Sequence, residues 1–291
     1  MSLAAALSRT LGCEVAAGSE RRVSGGSINA CSRFESARGP LFVKHGDAGS
    51  LEMFQAEAAG LAELSRARAV RVPDVIAVSE RDGTALLALE WIDLRSVSDS
   101  SCEAKLGELL AIQHRVTQER FGWQRDNTIG STPQANRRSD DWVEFLREQR
   151  LQPQLELARS NGASADLIDS GQRLCQGLEH FFAGYRPVPS LLHGDLWGGN
   201  WGADANGEPV LFDPAVYFGD READLAMTRL FGGFGAPFYA AYQAAWPLDA
   251  GVPARIALYN LYHVLNHFNL FAGGYSRQAL AMVQRLLAEL E

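Results

Sequence analysis

Hydrophobic and polar positions follow two different rhythms along the 291-residue chain, and the change comes near residue 90. Upstream, short β-type runs alternate with turn residues. Arg21–Ser24 leads into Gly25-Gly26-Ser27 and is followed by Ile28–Glu35, Pro40–Lys44, Val75–Ser79 and Ala85–Trp91, the last two around the turn Arg81-Asp82-Gly83. One helix interrupts them over Ser50–Arg66, with Leu51, Phe54, Ala58, Leu61 and Leu64 at the spacing of a buried face. Downstream the rhythm turns helical. Ser100 and Glu103 form a capping box for a helix through Leu106, Leu109, Leu110 and His114, which Gly122 would close. Further helical patterns cover about 139–159, 164–184, 221–231, 236–246, 252–271 and 276–290. The pattern predicts an α+β molecule of two lobes: an N-terminal lobe over 1–91, a hinge over 92–97 and a mainly helical lobe over 98–291. No internal repeat or low-complexity tract interrupts it.

Composition narrows the class of function. With 46% hydrophobic and 21% charged residues the chain can bury a substantial core. Its longest apolar stretches, such as Ala85–Leu89, fall far short of the roughly 20 residues that cross a bilayer. Met1–Leu7 lacks a basic leader, so the expected location is the cytoplasm, with no membrane partner. A net charge of −8 argues against nucleic acid as a partner. Cys13, Cys31, Cys102 and Cys175 are too scattered for a zinc site and read as free thiols. Only Lys44 and Lys105 among the 27 basic residues are lysines, so a site that needs a compact ammonium has two candidates.

One segment of the helical part stands apart. Ser190–Trp201 and Pro209–Pro214 are two short apolar runs, each ending in a carboxylate, with a glycine-rich polar loop between them. His193-Gly194-Asp195, then four residues and Asn200, has the spacing in which the Asp accepts a nucleophile's proton and the Asn holds magnesium. Asp213 falls where a second metal-holding carboxylate is needed, and magnesium accepts such hard oxygen ligands together with phosphates and water. Lys44 ends a strand, where a kinase-type fold places an ammonium on the nucleotide's phosphates. Glu57 is the favoured partner for Lys44 over Glu52 and Glu63, because Ala56, Ala58, Ala59 and Gly60 let its helix approach the sheet closely. The turn around Gly25-Gly26-Ser27 can offer backbone N–H groups to phosphate oxygens.

Lys44, Glu57–Leu61, the string His193-Gly194-Asp195-Leu196-Trp197-Gly198-Gly199-Asn200 and the block Asp213-Pro214-Ala215 with Gly219–Ala226 resemble the fructosamine kinase (ketosamine-3-kinase) family over nearly the whole chain. Aminoglycoside and choline kinases share His-Gly-Asp and Asn, but usually not that Trp together with the Gly-Asp-Arg-Glu block. The resemblance implies a protein-kinase-like fold and ATP-dependent phosphorylation of the 3-hydroxyl of a sugar-amine adduct. The phosphorylated adduct then falls apart and frees the amine, so the acceptor would be a ketosamine small molecule or a glycated protein.

Carried over residue by residue, the resemblance makes Asp195 the catalytic base, Asn200 and Asp213 the ligands of Mg2+, Lys44 with Glu57 a phosphate clamp, and Gly25, Gly26, Ser27 and Ile28 the phosphate loop. Leu87–Ile92 becomes the adenine hinge, with the Glu90 carbonyl and the Ile92 amide facing the base edge. By its place two residues beyond Asp195, Trp197 reads as a platform for the sugar, with a structural indole whose N–H is buried against a carbonyl as the alternative, and His193 and Asp224 support the loop from behind. His263 and His267 read better as packed helix residues than as ligands. Some family members carry a redox-active cysteine where this chain has Ser27, so thiol control is not expected; the nearby Cys31 reads as a packed apolar residue. Two alternatives stay open: an aminoglycoside- or choline-type phosphotransferase and a non-catalytic nucleotide-binding module. The oligomeric state stays open as well, with a monomer slightly favoured.

Overall fold

The computed structural model describes residues 2–23, 30–95 and 100–290. Gly25, Gly26, Ser27 and Ile28 lie outside the described residues, as do Ser96 and Val97 at the end of the expected hinge.

Helix α1 (Leu3–Leu11) begins at Ser2, whose hydroxyl accepts the Ala5 N–H, and stops at Gly12, which takes φ +63°. Strands β1 (Arg21–Arg22), β2 (Ala30–Ser36) and β3 (Gly39–Asp47) follow, then α2 (Leu51–Ala67), β4 (Val75–Arg81) and β5 (Thr84–Glu90). They form one antiparallel sheet in the order β1-β2-β3-β5-β4. Strand β5 explains how both helices dock. Its alternate side chains Leu86 and Ala88 join Leu7 and Leu11 of α1, whereas Ala85, Leu87 and Leu89 join Phe54, Leu61 and Leu64 of α2. A strand buried on both faces reads as the continuous apolar run seen at Ala85–Leu89.

The helical part is less regular than its periodicity suggests. Helix α3 (Ser100–His114) ends at His114 and is not closed by Gly122. Gly122 instead sits at φ +98° in an extended stretch bonded both ways to Phe218, because a Cβ there would stand 2.6 Å from the Asn136 carbonyl oxygen. A small hairpin, β6 (Asn127–Ile129) and β7 (Thr132–Gln134), follows, and no periodicity announced it. The expected helix over 139–159 is α4 (Trp142–Leu146) and α5 (Gln152–Ser160) joined by a π-turn at Arg147–Leu151. That over 164–184 is α6 (Ala165–Gln176) with a 3₁₀ turn at Leu178–Phe182. Two antiparallel pairs carry the polar loops: β8 (Ser190–Leu192) with β11 (Tyr217–Gly219), and β9 (Trp201–Ala203) with β10 (Pro209–Leu211).

Helices α7 (Glu222–Leu230), α8 (Ala236–Ala245), α9 (Val252–Phe271) and α10 (Tyr275–Ala288) complete the chain. The long α9 is buried along most of its length, and α5, α7 and α10 pack around it. The block Gly219–Asp224 is the polar hub of this part. Asp220 accepts the hydroxyls of Tyr185 and Tyr259 at 2.9 and 2.6 Å, and Arg255 pairs with Glu222 at 2.7 and 2.9 Å in full burial. Helices α3 and α8 approach so closely that a Cβ on Gly107 would overlap the Phe238 carbonyl oxygen. Gly107→Ala is therefore expected to lower stability by about 1–3 kcal/mol, read as an earlier urea midpoint with an unchanged slope.

Candidate active site

The loop His193–Asn200 leaves β8 and enters β9, and every polar contact behind it is made by backbone or by buried side chains. Gly194 takes φ +84°, and any Cβ there would overlap the Ala215 carbonyl oxygen, so this position admits only glycine. Asp224, near the start of α7, accepts the His193 N–H at 2.7 Å and the Gly194 N–H at 2.8 Å. Its Oδ2 also lies 3.1 Å from Nε2 of His114, whose Nδ1 is 2.9 Å from the Tyr242 hydroxyl. Burial pushes His114 toward its neutral form. The partners then assign its proton to Nε2, donating to Asp224, while Nδ1 accepts from Tyr242. Burial alone would raise Asp224, but the His114 bond and the loop amides hold its carboxyl below the ordinary range. His193 is likewise held neutral by burial, and its Nε2 donates to the Phe212 carbonyl at 3.0 Å.

At the open end of the loop, Asn200 donates its amide N–H to the Asp195 carbonyl at 2.9 Å and to Oδ2 of Asp195 at 3.1 Å. This leaves Oδ1 as the free acceptor type on Asn200. Burial and the nearby Asp213 charge push the Asp195 carboxyl up to about 7, against the Asn200 bond. Asp213 is a non-glycine residue at φ +57°, a conformation that persists only when its flanks are held.

The N-terminal sheet meets this loop through one ammonium. Nζ of Lys44 lies 2.8 and 2.9 Å from the two Glu57 oxygens and 2.7 Å from Oδ1 of Asp213, with the lysine side chain 7% exposed. Burial pulls the Lys44 pKa down, but Glu57 and Asp213 more than reverse it, so the ammonium stays charged. Of the three candidate glutamates on α2, Glu52 is exposed and Glu63 is bonded to Arg66 and Trp123; Glu57 alone reaches Lys44.

Beside these groups lies a cavity of about 340 Å³. Cys31, Phe42, Leu89, Val210 and Phe212 form its apolar walls, Glu90–Ile92 runs along one side, and Asp213 stands at its polar end. Burial keeps the Cys31 thiol protonated. The Glu90 side chain turns to the seam between the two parts of the chain: Arg71 holds it at 2.6 Å and holds Asp204 of the β9–β10 turn at 2.7 Å. Neither Arg71 nor His114 carries a local sequence signature that marks it for a role at the site.

The structure places the remaining candidates differently. Trp197 is 36% exposed on the loop, and its ring folds back against Gly199. Trp201 is buried and stacks on Phe234 with ring centroids 5.4 Å apart. His263 is buried, with its pKa pushed down to about 3 by burial and then by His267, while the His267 ring packs at a tilt of 44° against Phe231, centroids 4.5 Å apart.

Residues 1–289 match the family model for fructosamine kinase. The chain belongs to the fructosamine kinase family. It is 42% identical over 287 residues to a probable ketoamine kinase of Synechocystis, covering 98% of this chain and 96% of that one. It is 41% identical over 272 residues to a chloroplastic protein-ribulosamine 3-kinase of Arabidopsis thaliana, covering 92% and 82% of the two chains. A solved protein of Thermobifida fusca assigned as a fructosamine-3-kinase superposes with a TM-score of 0.86 at 35% identity over 99% of each chain. A choline kinase of Streptococcus pneumoniae shares the fold alone, with a TM-score of 0.63 at 17% identity over 98% and 96% of the chains. The fold is protein-kinase-like, and this family member is a phosphotransferase.

Asp224 supplies two acceptors to two buried loop N–H groups, so Asp224→Asn turns an amide donor onto a donor. The variant should lose about 1.5–3 kcal/mol of stability at neutral pH. Because folding holds this carboxyl below its usual 3.8, the contribution is complete above that value and is lost as pH falls through the folded pKa. Urea titrations of wild type and variant should therefore differ most at neutral pH and converge in acid; a gap independent of pH would contradict the assignment.

Proposed function

We propose that this kinase transfers the γ-phosphoryl group of ATP to the 3-hydroxyl of a ketosamine, a sugar joined to an amine as a ketoamine, and so starts its deglycation. One observation carries the reading: Lys44 Nζ lies 2.7–2.9 Å from Glu57 and Asp213, which gathers ammonium and carboxylates at the polar end of a cavity of nucleotide size. The division into a nucleotide lobe (1–91), a hinge (92–97) and a catalytic lobe (98–291) goes with it.

In this reading Asp195 accepts the proton of the sugar hydroxyl as its oxygen forms a bond to the γ-phosphorus. The bond from that phosphorus to the β,γ-bridging oxygen breaks, and ADP leaves with its electron pair. A carboxyl of raised pKa is suited to the base role, since it holds the proton it takes. Lys44, fixed by Glu57, would neutralise the α- and β-phosphates, and Gly25–Ile28 would offer them backbone N–H groups. The cavity walls would take the adenine, with the Glu90 carbonyl and the Ile92 amide at its edge. Trp197 would cover the apolar face of the sugar.

The donors present suit magnesium. Oδ1 of Asn200 and the Asp213 carboxylate are hard oxygen ligands, and among the described residues no cluster of three His, Cys, Asp or Glu side chains competes for a metal. When bound there, the ion would offset phosphate charge during transfer. Loss of the phosphorylated sugar from the amine would follow without further help from the protein. The similarity to a protein-ribulosamine 3-kinase of Arabidopsis thaliana supports both the acceptor class and the position of transfer.

ADP release from ATP and Mg2+ should be seen with fructosyl-lysine, ribulosyl-lysine or erythrulosyl-lysine; turnover confined to an aminoglycoside or to choline would replace the ketosamine reading. Asp195→Asn should lower kcat by about 10²–10⁴ with nucleotide binding nearly unchanged, and near-normal turnover would remove Asp195 from the chemistry. Lys44→Met should lower kcat/KM for ATP, measured with saturating acceptor, and chelating Mg2+ should stop turnover in the wild type.

A further inference from the structure

The Asp213–Val216 segment carries a positive-φ residue, yet only three residues separate Asp213 from β11. Something must hold the segment, and it is held from two sides, of which the far one belongs to a part of the chain without any catalytic motif. On its near side Phe212 donates its N–H to the Asn200 carbonyl at 3.1 Å, and Ala215 donates to the His193 carbonyl at 2.9 Å. On its far side lies a buried ladder of side-chain amides. Asn127 donates to the Val216 carbonyl at 2.8 Å, and Gln134 donates to the Ala215 carbonyl at 3.3 Å and to Oδ1 of Asn127 at 2.8 Å. Asn136 donates to the same Oδ1 at 3.0 Å and accepts from Arg150 at 2.7 Å, while the Tyr262 hydroxyl donates to Oε1 of Gln134 at 2.6 Å.

Every arrow in this ladder runs the same way, from guanidinium and phenol through three amides to the two carbonyls, so each bond polarises the next. Asn127, Gln134, Asn136 and Arg150 are all at most 9% exposed. Arg150 forms no ion pair among the described residues. Its charge is met by carbonyls and by the faces of Tyr217 at 4.1 Å and Phe145 at 4.6 Å. A guanidinium without a carboxylate partner in an interior is costly to keep, and a purely structural position is served as well by an apolar side chain. From above, α2 presses on the same segment: a Cβ on Gly60 would lie 3.2 Å from Val216 and 3.5 Å from Pro214.

We propose that Asn127, Gln134, Asn136 and Arg150 are positioning residues for phosphoryl transfer: their buried ladder clamps the carbonyls of Ala215 and Val216 and so holds Asp213 in the backbone conformation that presents its carboxylate to the metal. The proposal rests on the reading of Asp213 as a metal ligand. It adds that the metal-holding geometry is built into the resting fold, with a hairpin and a π-turn doing the work that a mobile segment would otherwise have to do. The partners that orient a metal-ligating group commonly govern metal affinity by about 10–100-fold when removed.

The test compares wild type with Asn127→Leu and Gln134→Met, near-isosteric changes that delete ladder bonds, in calorimetric titrations of adenylyl imidodiphosphate with Mg2+ and with EDTA. Hydrogen exchange is followed over residues 213–219 in the same three proteins. The expected result is a loss of about tenfold in affinity confined to the Mg2+ titration, with faster exchange over 213–219 and little change in α9. Gln134→Met leaves the Asn127 bonds to Val216 and Asn136 in place, and it decides the matter should Asn127→Leu fail to fold. Equal losses with and without Mg2+, or wild-type affinity and exchange in a folded variant, would overturn the ladder's role and leave the kinase reading intact. A wild-type protein whose affinity for the analogue ignores Mg2+ would overturn both.

Discussion

A buried ammonium has to be paired, and this molecule is organised around that demand. Lys44 sits on β3, where Cys31 and Leu87 flank it on the neighbouring strands, and its side chain is almost withdrawn from water. An uncompensated charge there would cost several kcal/mol. It is compensated from two directions at once, by Glu57 on the helix that covers the sheet and by Asp213 from the other part of the chain. One cation thereby ties α2 and the Asp213 segment to the same point of the sheet. The small residues of α2 serve the same end, since Gly60 lets the helix rest on Pro214 and Val216.

The loop His193–Asn200 is handled by the opposite device, an anion that collects backbone donors. Asp224 takes the N–H groups of His193 and Gly194, and its charge is stabilised through His114 and Tyr242. The loop can then leave Asp195 and Asn200 unencumbered at its open end, bonded mainly to each other. Rigidity behind and free polar groups in front is the arrangement that electrostatic catalysis requires, because the charges must already be in place when the phosphoryl group moves. The block Gly219–Asp224 is conspicuous in the sequence as a family signature, and its work here is mechanical: Asp220, Arg221 and Glu222 tie α7 to Tyr185, Tyr259, Trp246 and Arg255.

Much of the site is legible before any coordinates. Asp195 and Asn200 lie five residues apart on one loop, Lys44 and Glu57 are conspicuous as a scarce lysine and a glutamate among alanines, and Asp213 ends an apolar run. Chemistry carried by a short segment leaves its mark in that segment. The hairpin at Asn127–Gln134, the π-turn at Arg147–Leu151 and the clamp made by Arg71 leave no such mark, because their partners lie far away in the chain: Asn127 meets Val216, Arg150 meets Asn136 and Tyr217, and Arg71 meets Asp204. The helix through His114 stops short of Gly122 for a related reason. Gly122 reads as a stop signal in one dimension, whereas its glycine is required by the close passage of the Asn136 carbonyl.

The sequence by itself determined the two rhythms of the chain, the elements of the N-terminal sheet, the spacing of the candidate site residues and the family. All of these are properties of local spacing and side-chain chemistry. The tertiary structure alone decided which histidine bonds to Asp224 and how Asp213 is kept at φ +57°. Those outcomes depend on burial, since an amide or a charge chooses its partner only when water is no longer available as the alternative. Burial is a property of the packed whole, and no window of residues contains it.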